Sequence, residues 1–299
     1  MDALLKWAIL NGATMSEDAP NNGPRPEPKK IDPEIIDAIL GKPASVQMTE
    51  CVDAAEDTTQ STEDREIALD NLEMLIENID NAANLQPLAL WPRLINLLSD
   101  TEPSVRTGVL WVMGTAVQHN PKAQKSFGSN GCLKAVLEVL RKDTVGEVRA
   151  KALYCVSSYV RANVAGLTEF VSQGGLLALL QAIESAANVL GQKTFFLLRA
   201  LIDEAMDEET PKELRPGSSL PNAIVELGFV PATVRAIRPM VEAGESGAVV
   251  EQAAMFLATL AATDKGKAAV GGCDELKELV PKIKLAFDDF DIAGLDALL

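Results

Sequence analysis

One pattern occurs twice in the middle of the chain, 43 residues apart. The stretch "VRTGVLWVMGTAVQHNPKAQKSFGSNGCLKAVLEVL" (Val105–Leu140) lies over "VRAKALYCVSSYVRANVAGLTEFVSQGGLLALLQAI" (Val148–Ile183), so that Val-Arg matches Val-Arg and Gly131 matches Gly174. In each copy a short helix is expected to open with Val-Arg, with an amphipathic helix after it. A turn follows, and then a glycine-containing break before a leucine-rich helix. Glycine at that break allows a change of direction that a Cβ would obstruct. A unit of this size cannot bury its apolar face alone, so the copies must stack on one another.

The period continues with disturbances. "TFFLLRALIDEA" followed by "VELGFVPATVRAI" is a third copy, but Gly228 stands 54 residues after Gly174. The surplus is visible as "MDEETPKELRPGSSLP", a polar, Pro/Gly-rich run that reads as a surface loop. "VVEQAAMFLATLAATDKGKAAVGGCDELKELVPKI" carries Gly272, 44 residues after Gly228, and upstream "REIALDNLEMLIENIDNAANLQPLALWPRLINLL" carries Arg65, 41 before Arg106. A period of roughly 40–47 residues with two or three helices is that of the armadillo/HEAT class. The expected fold is all-α, an armadillo-like helical solenoid of four or five units over residues 65–299, with a C-terminal cap and a concave surface. Residues 31–64 read as a helical lead-in, opening with the short helix "IDPEIIDAILG" (Ile31–Gly41), and residues 1–30 as a flexible arm and linker.

Composition narrows the function. Of the 299 residues 47% are hydrophobic and only 4% aromatic, which suits helices packed closely on helices. A net charge of −16 argues against nucleic acid and against an anionic membrane surface. Between Glu50 and Asp80 eleven acidic residues face one basic residue, Arg65. That run reads as a solvated helix face or as a surface for a basic partner. Cys51, Cys132, Cys155 and Cys273 show no CxxC spacing and are expected to be reduced and structural. The opening "MDALLKWAIL" is too short and too interrupted by Lys6 for a secretory signal or a membrane span, so a soluble cytoplasmic protein is expected.

The residues for catalysis are missing. The one histidine, His119, precedes Asn120-Pro121 at a helix end, and no second imidazole is available for a zinc site. No GxSxG elbow and no phosphate loop with its Lys-Ser/Thr ending occurs. No catalytic residue, metal or cofactor is therefore expected, and binding is left as the function. Peptide-binding armadillo grooves use a ladder of Trp and Asn on inner helices. Here the tryptophans are Trp7, Trp91 and Trp111, and "LKAVLEVL" and "LLALLQAI", read as inner helices, contain neither type. The peptide ladder is correspondingly weak.

Three blocks carry a resemblance. "MDALLKWAILN", "DNLEMLIENIDNAANL" (Asp70–Leu85) and "GTAVQHNPKAQKSF" (Gly114–Phe127) are similar, in the same order, to stretches of the fungal Fes-type proteins and the animal heat-shock-protein-binding family. These are armadillo nucleotide-exchange factors of the 70-kDa heat-shock chaperone. The loop around Glu208–Pro221 and the C-terminal "LAFDDFDIAGLDALL" match poorly, and nothing is carried over there.

The resemblance implies a co-chaperone that grips the chaperone's nucleotide-binding domain and promotes ADP release without making or breaking a bond. It places Ala82, with Asn78, Asp80 and Asn81 of the same block, at the chaperone contact, and Lys193 in "GQKTFFLL" at a basic contact position. It also implies that the apolar start, Leu4, Leu5, Trp7 and Ile9, is a release arm that displaces clients from the chaperone's substrate-binding domain. The expected protein is a monomer. The alternative is an armadillo scaffold that binds another protein and leaves nucleotide alone.

Overall fold

The computed structural model describes residues 41–185, 189–209, 219–245 and 247–286. Leu4, Leu5, Trp7 and Ile9, the short helix expected at Ile31–Gly41 apart from its last residue, much of the inserted loop and the last thirteen residues lie outside these ranges.

The described chain is a succession of helices without strands. Helix α1 (Ala44–Glu56) leads in, and then five rounds of the same triplet follow. The first round is α2 (Thr62–Ile76), α3 (Ile79–Asn84) and α4 (Leu90–Leu97); the second is α5 (Pro103–Val117), α6 (Pro121–Ser129) and α7 (Cys132–Lys142). The third is α8 (Gly146–Val160), α9 (Val164–Ser172) and α10 (Gly175–Ser185). The fourth is α11 (Val189–Met206), α12 (Ser219–Glu226) and α13 (Phe229–Glu242); the fifth is α14 (Ala248–Ala261), α15 (Asp264–Gly271) and α16 (Asp274–Ala286).

The recurrences in the sequence are the junctions of this triplet. Asn78, Asn120 and Asn163 each accept a backbone N–H bond with their side chain and so cap the short helices α3, α6 and α9; Thr263 does the same for α15. Gly131, Gly174 and Gly228 precede the leucine-rich helices in left-handed backbone, with φ of 71°, 73° and 81°. The first round has Ala89 at the same place, at φ 53°. In the first three rounds an arginine near the start of the long helix, Arg65, Arg106 or Arg149, ties that helix to a neighbouring helix or to the loop that ends its round. Arg65 donates to Ala55 O at 2.8 Å and pairs with Asp100, and Arg106 grips Asp143 through two bonds of 2.7 and 3.0 Å. Arg149 donates to Leu140 O at 2.9 Å.

Successive long helices α2, α5, α8, α11 and α14 pack side by side, as do the leucine-rich helices α4, α7, α10, α13 and α16 in a second layer. The long helices approach more closely, so the stack curves with that layer on the inside; α8 and α11 are its loosest neighbours. Gly114 shows how close the approach is, since a Cβ there would lie 2.5 Å from the Tyr154 ring on the next helix. The reading of "LKAVLEVL" and "LLALLQAI" as inner helices is thus corrected. They are α7 and α10, in the outer layer, because their wide leucine stripes are buried against the long helices. Between the layers runs one continuous core, which includes the edge-on pair Trp91–Phe127 (5.6 Å) and the tilted pair Phe127–Tyr159 (4.6 Å).

Candidate functional site

The inner layer exposes a row of side chains along its long helices. From α2 come Ile67 and Met74, both at least half exposed, and Glu73. Trp111 on α5 is 40% exposed and Phe196 on α11 is 45% exposed. An exposed indole and phenyl ring on one helical layer is unusual in a chain with so few aromatic residues. Such rings are the residue types on which protein interfaces concentrate their energy.

Cations lie among these rings. The Lys151 ammonium of α8 lies 4.1 Å from the centre of the Trp111 ring and 5.6 Å from that of Tyr154, where each ring's negative face attracts it. The Thr115 hydroxyl donates to Glu73 at 2.8 Å and lies 3.3 Å from the Tyr154 hydroxyl, which ties α2, α5 and α8 together beneath the row. Arg199 of α11 lies 5.6 Å from the Phe196 ring and donates to the Met255 sulfur of α14. Partial burial lowers the Lys151 pKa, and the positive charge of Lys193 lowers it further, while Glu147 and Glu73 oppose the shift. Lys193 itself is exposed. The row therefore holds a small cationic island in a chain whose net charge is −16.

At one end of the row the N-terminal ends of α2, α5 and α8 leave an open depression of about 400 Å³, with Glu66, Asp70 and Glu147 on its rim and Trp111 and Pro103 in its wall. A surface that alternates acid, aromatic and cation suits recognition of a charged protein and has no nucleophile–base pair. Among the described residues no cluster of three or more His, Cys, Asp or Glu side chains could hold a metal ion. The Cys132 thiol is pushed up to about 12 by burial, and burial also raises the Cys155 thiol well above its ordinary value, so both remain inert thiols. His119 sits exposed at the turn after α5, at φ 52°, where the next round has Ala162 at φ 51°.

The residues expected at the partner contact divide into two places. Lys193 is in the inner row. Asn78, Asp80, Asn81 and Ala82 form the corner between α2 and α3. Asn78 caps α3, and Asn81 donates to Leu75 O at 2.9 Å, so both hold the corner together. Asp80 is exposed, beside the 57%-exposed Ile79. Ala82 needs correction as a contact residue. It is 2% exposed, and its methyl group lies in the core, because the short α3 turns that face onto the stack. Trp111, Lys151, Tyr154 and Phe196 were missed as site residues. The signal was an aromatic and a lysine at matching places in successive repeats, on a helix layer assigned to the wrong side.

Comparison with known proteins places the chain. Residues 1–85 match the family model described as nucleotide exchange factor Fes1, and residues 81–221 match the SIL1/FES1/HPBP1 C-terminal domain. The Hsp70 nucleotide exchange factor fes1 of Schizosaccharomyces pombe is 36% identical over 195 residues, 65% of this chain and 67% of that protein. The chain belongs to the Fes1 nucleotide exchange factor family. The FES1 proteins of Mycosarcoma maydis and Eremothecium gossypii are 36% and 39% identical, over 81% and 59% of this chain and 64% and 60% of theirs. The chain thus matches about two thirds of the length of these Fes1 relatives.

Among solved structures, a designed armadillo repeat protein in complex with the peptide (KR)4 matches with a TM-score of 0.61 at 13% identity, over 84% of this chain and 96% of that one. Another designed armadillo protein, YIII(Dq)4CqI, matches with a TM-score of 0.59 at 15% identity, over 84% and 100%. At those identities the likeness is one of fold. The inner row from Trp111 to Arg199 falls inside the second matched Fes1-family segment, and the α2–α3 corner straddles the boundary of the two.

Proposed function

We propose that the chain is a nucleotide-exchange factor for a cytosolic 70-kDa heat-shock chaperone, acting as a monomer that grips the chaperone's nucleotide-binding domain with its inner helical row. The observation that carries the reading is the cationic island of Lys151 and Lys193 between exposed Trp111 and Phe196, on a chain of this family. Two like charges close together are costly in the free protein, and an acidic patch on a partner relieves that cost as it docks. The exposed rings supply apolar contact around the charged centre. No single described helix is long and apolar enough to cross a membrane.

Exchange follows from linkage. A partner that binds the open, nucleotide-poor form of the chaperone more tightly must weaken ADP binding by the same factor. The factor needs no catalytic residue for this, only a rigid surface shaped to one state, and a stack of packed repeats provides one. We assign residues 65–299 to this core, 31–64 to its lead-in and 1–30 to the release arm, with Leu4, Leu5, Trp7 and Ile9 competing for the chaperone's client groove. Asp80 extends the chaperone contact at the α2–α3 corner. The test is release of fluorescent ADP from the chaperone in a stopped flow. Acceleration that saturates with this protein supports the reading, and binding without acceleration favours a scaffold.

A further inference from the structure

The inner row crosses a weak junction. At every other step from round to round the long helices pack more closely than the leucine-rich helices, but α8 and α11 pack no more closely than α10 and α13. The short helices agree, since α3, α6 and α9 touch in succession and α12 touches α15, whereas α9 and α12 barely meet. The buried rings divide at the same place. Trp91, Phe127 and Tyr159 form one cluster in the first three rounds, and Phe195, Phe229 and Phe256 form another in the last two. The outer layer carries on undiminished, with α10 packed on α13 and Glu184 paired with Arg235 at 3.0 Å.

Charge acts oppositely at the two ends of this junction. Just past the C-terminal end of α8, the Arg161 Nε–H and the Ala162 backbone N–H both donate to the Glu204 carboxylate in the last turn of α11, at 2.9 and 3.0 Å. Toward the N-terminal ends, Lys151 of α8 and Lys193 of α11 repel one another. The junction is pinned at one end and pushed apart at the other.

We propose that the α8–α11 junction is a hinge between two rigid bodies, rounds one to three and rounds four and five. The Lys151–Lys193 pair holds it ajar in the free protein, and an acidic group of the partner closes it by bridging the two lysines. In a solenoid each round touches only its neighbours, so a single loose interface is enough to let the two bodies rotate. The axis runs along the outer contact of α10 with α13. Trp111 and Lys151 stand on the first body, and Lys193, Phe196 and Arg199 on the second. The row therefore takes its final spacing only when an acidic group lies between the lysines. Closed, the two bodies make the one rigid surface that exchange requires. The hinge belongs to the free chain, whereas its closure by a partner rests on the reading that the inner row docks on the chaperone.

The test is a distance distribution between spin labels at Glu63→Cys on α2 and Ala248→Cys on α14, both exposed positions at N-terminal helix ends. The full chain is used with Cys51→Ser and Cys273→Ser, since Cys132 and Cys155 are buried. Lys193→Gln should shorten the mean distance by about 2 Å, the movement that a closure of about 10° produces roughly 10 Å from its axis. Glu204→Gln, which unpins the other end, should widen the distribution. A control pair inside the first body, Glu63→Cys with Lys122→Cys, should be narrow and unmoved by either change. Adding the nucleotide-binding domain of a 70-kDa heat-shock chaperone should shorten the parent distance as Lys193→Gln does. A Glu63–Ala248 distribution as narrow as the control overturns the hinge. An unmoved mean in Lys193→Gln overturns the part given to the lysine pair. Bound chaperone domain without shortening overturns closure, and failure to bind at all overturns the docking reading and closure with it.

Discussion

At the scale of single residues, the Lys151 ammonium is held between two rings and near a second lysine, so its charge is costly in the free protein. Lys193→Ala should therefore raise the Lys151 pKa, readable from its side-chain resonances in an NMR titration. The same change should weaken chaperone binding and flatten its salt dependence, because an exposed interfacial charge pair is screened by salt. Unchanged affinity at low and moderate ionic strength would remove Lys193 from the interface. Ala82 gives the opposite kind of result. An arginine in its buried place must either overpack the core or tear α3 away, so Ala82→Arg should cost on the order of 3 kcal/mol and lower the melting temperature. A variant that melts like the parent would show that the α2–α3 corner yields easily. The sequence block made Ala82 conspicuous but carried no sign of burial, because a six-residue helix is too short for a stripe to show which side faces inward.

At the scale of elements, the left-handed residue before each leucine-rich helix is glycine in three rounds and Ala89 in the first. A Cβ in that conformation costs about 1–2 kcal/mol, part of which glycine gives back in unfolded-state entropy. Ala89→Gly should therefore stabilise the protein by about 0.5–1 kcal/mol in urea titrations, whereas a loss of stability would mean the methyl group packs usefully. The arginine–aspartate pairs make a second element-scale prediction. Burial pushes the Asp100 and Asp143 carboxyls up, but hydrogen bonds and charge from Arg65 and Arg106 outweigh it, and both end below the ordinary range. Their folded values lie under the unfolded value of about 3.9. Their contribution is therefore complete above that pH and is lost as pH falls through the folded values. Stability should decline on acidification below about pH 4, and less steeply in Asp143→Asn, which has no carboxyl to protonate. The period was legible from sequence because each recurring residue has a mechanical duty at a junction, namely Asn as cap, Gly in left-handed backbone and Arg as lock. Which layer lies inside was not legible. Curvature depends on how closely neighbouring helices approach, and a Gly114–Tyr154 contact joins residues a whole repeat apart.

At the scale of the whole molecule, the inner row exists only as a product of stacking. Trp111, Lys151 and Phe196 come from three successive long helices, and none would form a surface alone. The family was legible from three sequence blocks, the fold from the period, and the face from neither. Function should divide along the chain in the same way. Deleting residues 1–30, or changing Leu4, Leu5 and Trp7 together to polar residues, should spare ADP release and impair displacement of a labelled client peptide. A parallel loss of both would make the arm part of the exchange surface. The central claim is that the stacked inner face, and nothing chemical, drives nucleotide exchange. It is tested most directly by stopped-flow release of fluorescent ADP from a 70-kDa heat-shock chaperone, with the parent chain and a Trp111→Ala/Lys193→Ala variant of unchanged helicity. Saturable acceleration by the parent, with the variant needing at least tenfold more protein to reach it, is the expected result. No acceleration by the parent, or equal acceleration by both at every concentration, would contradict it.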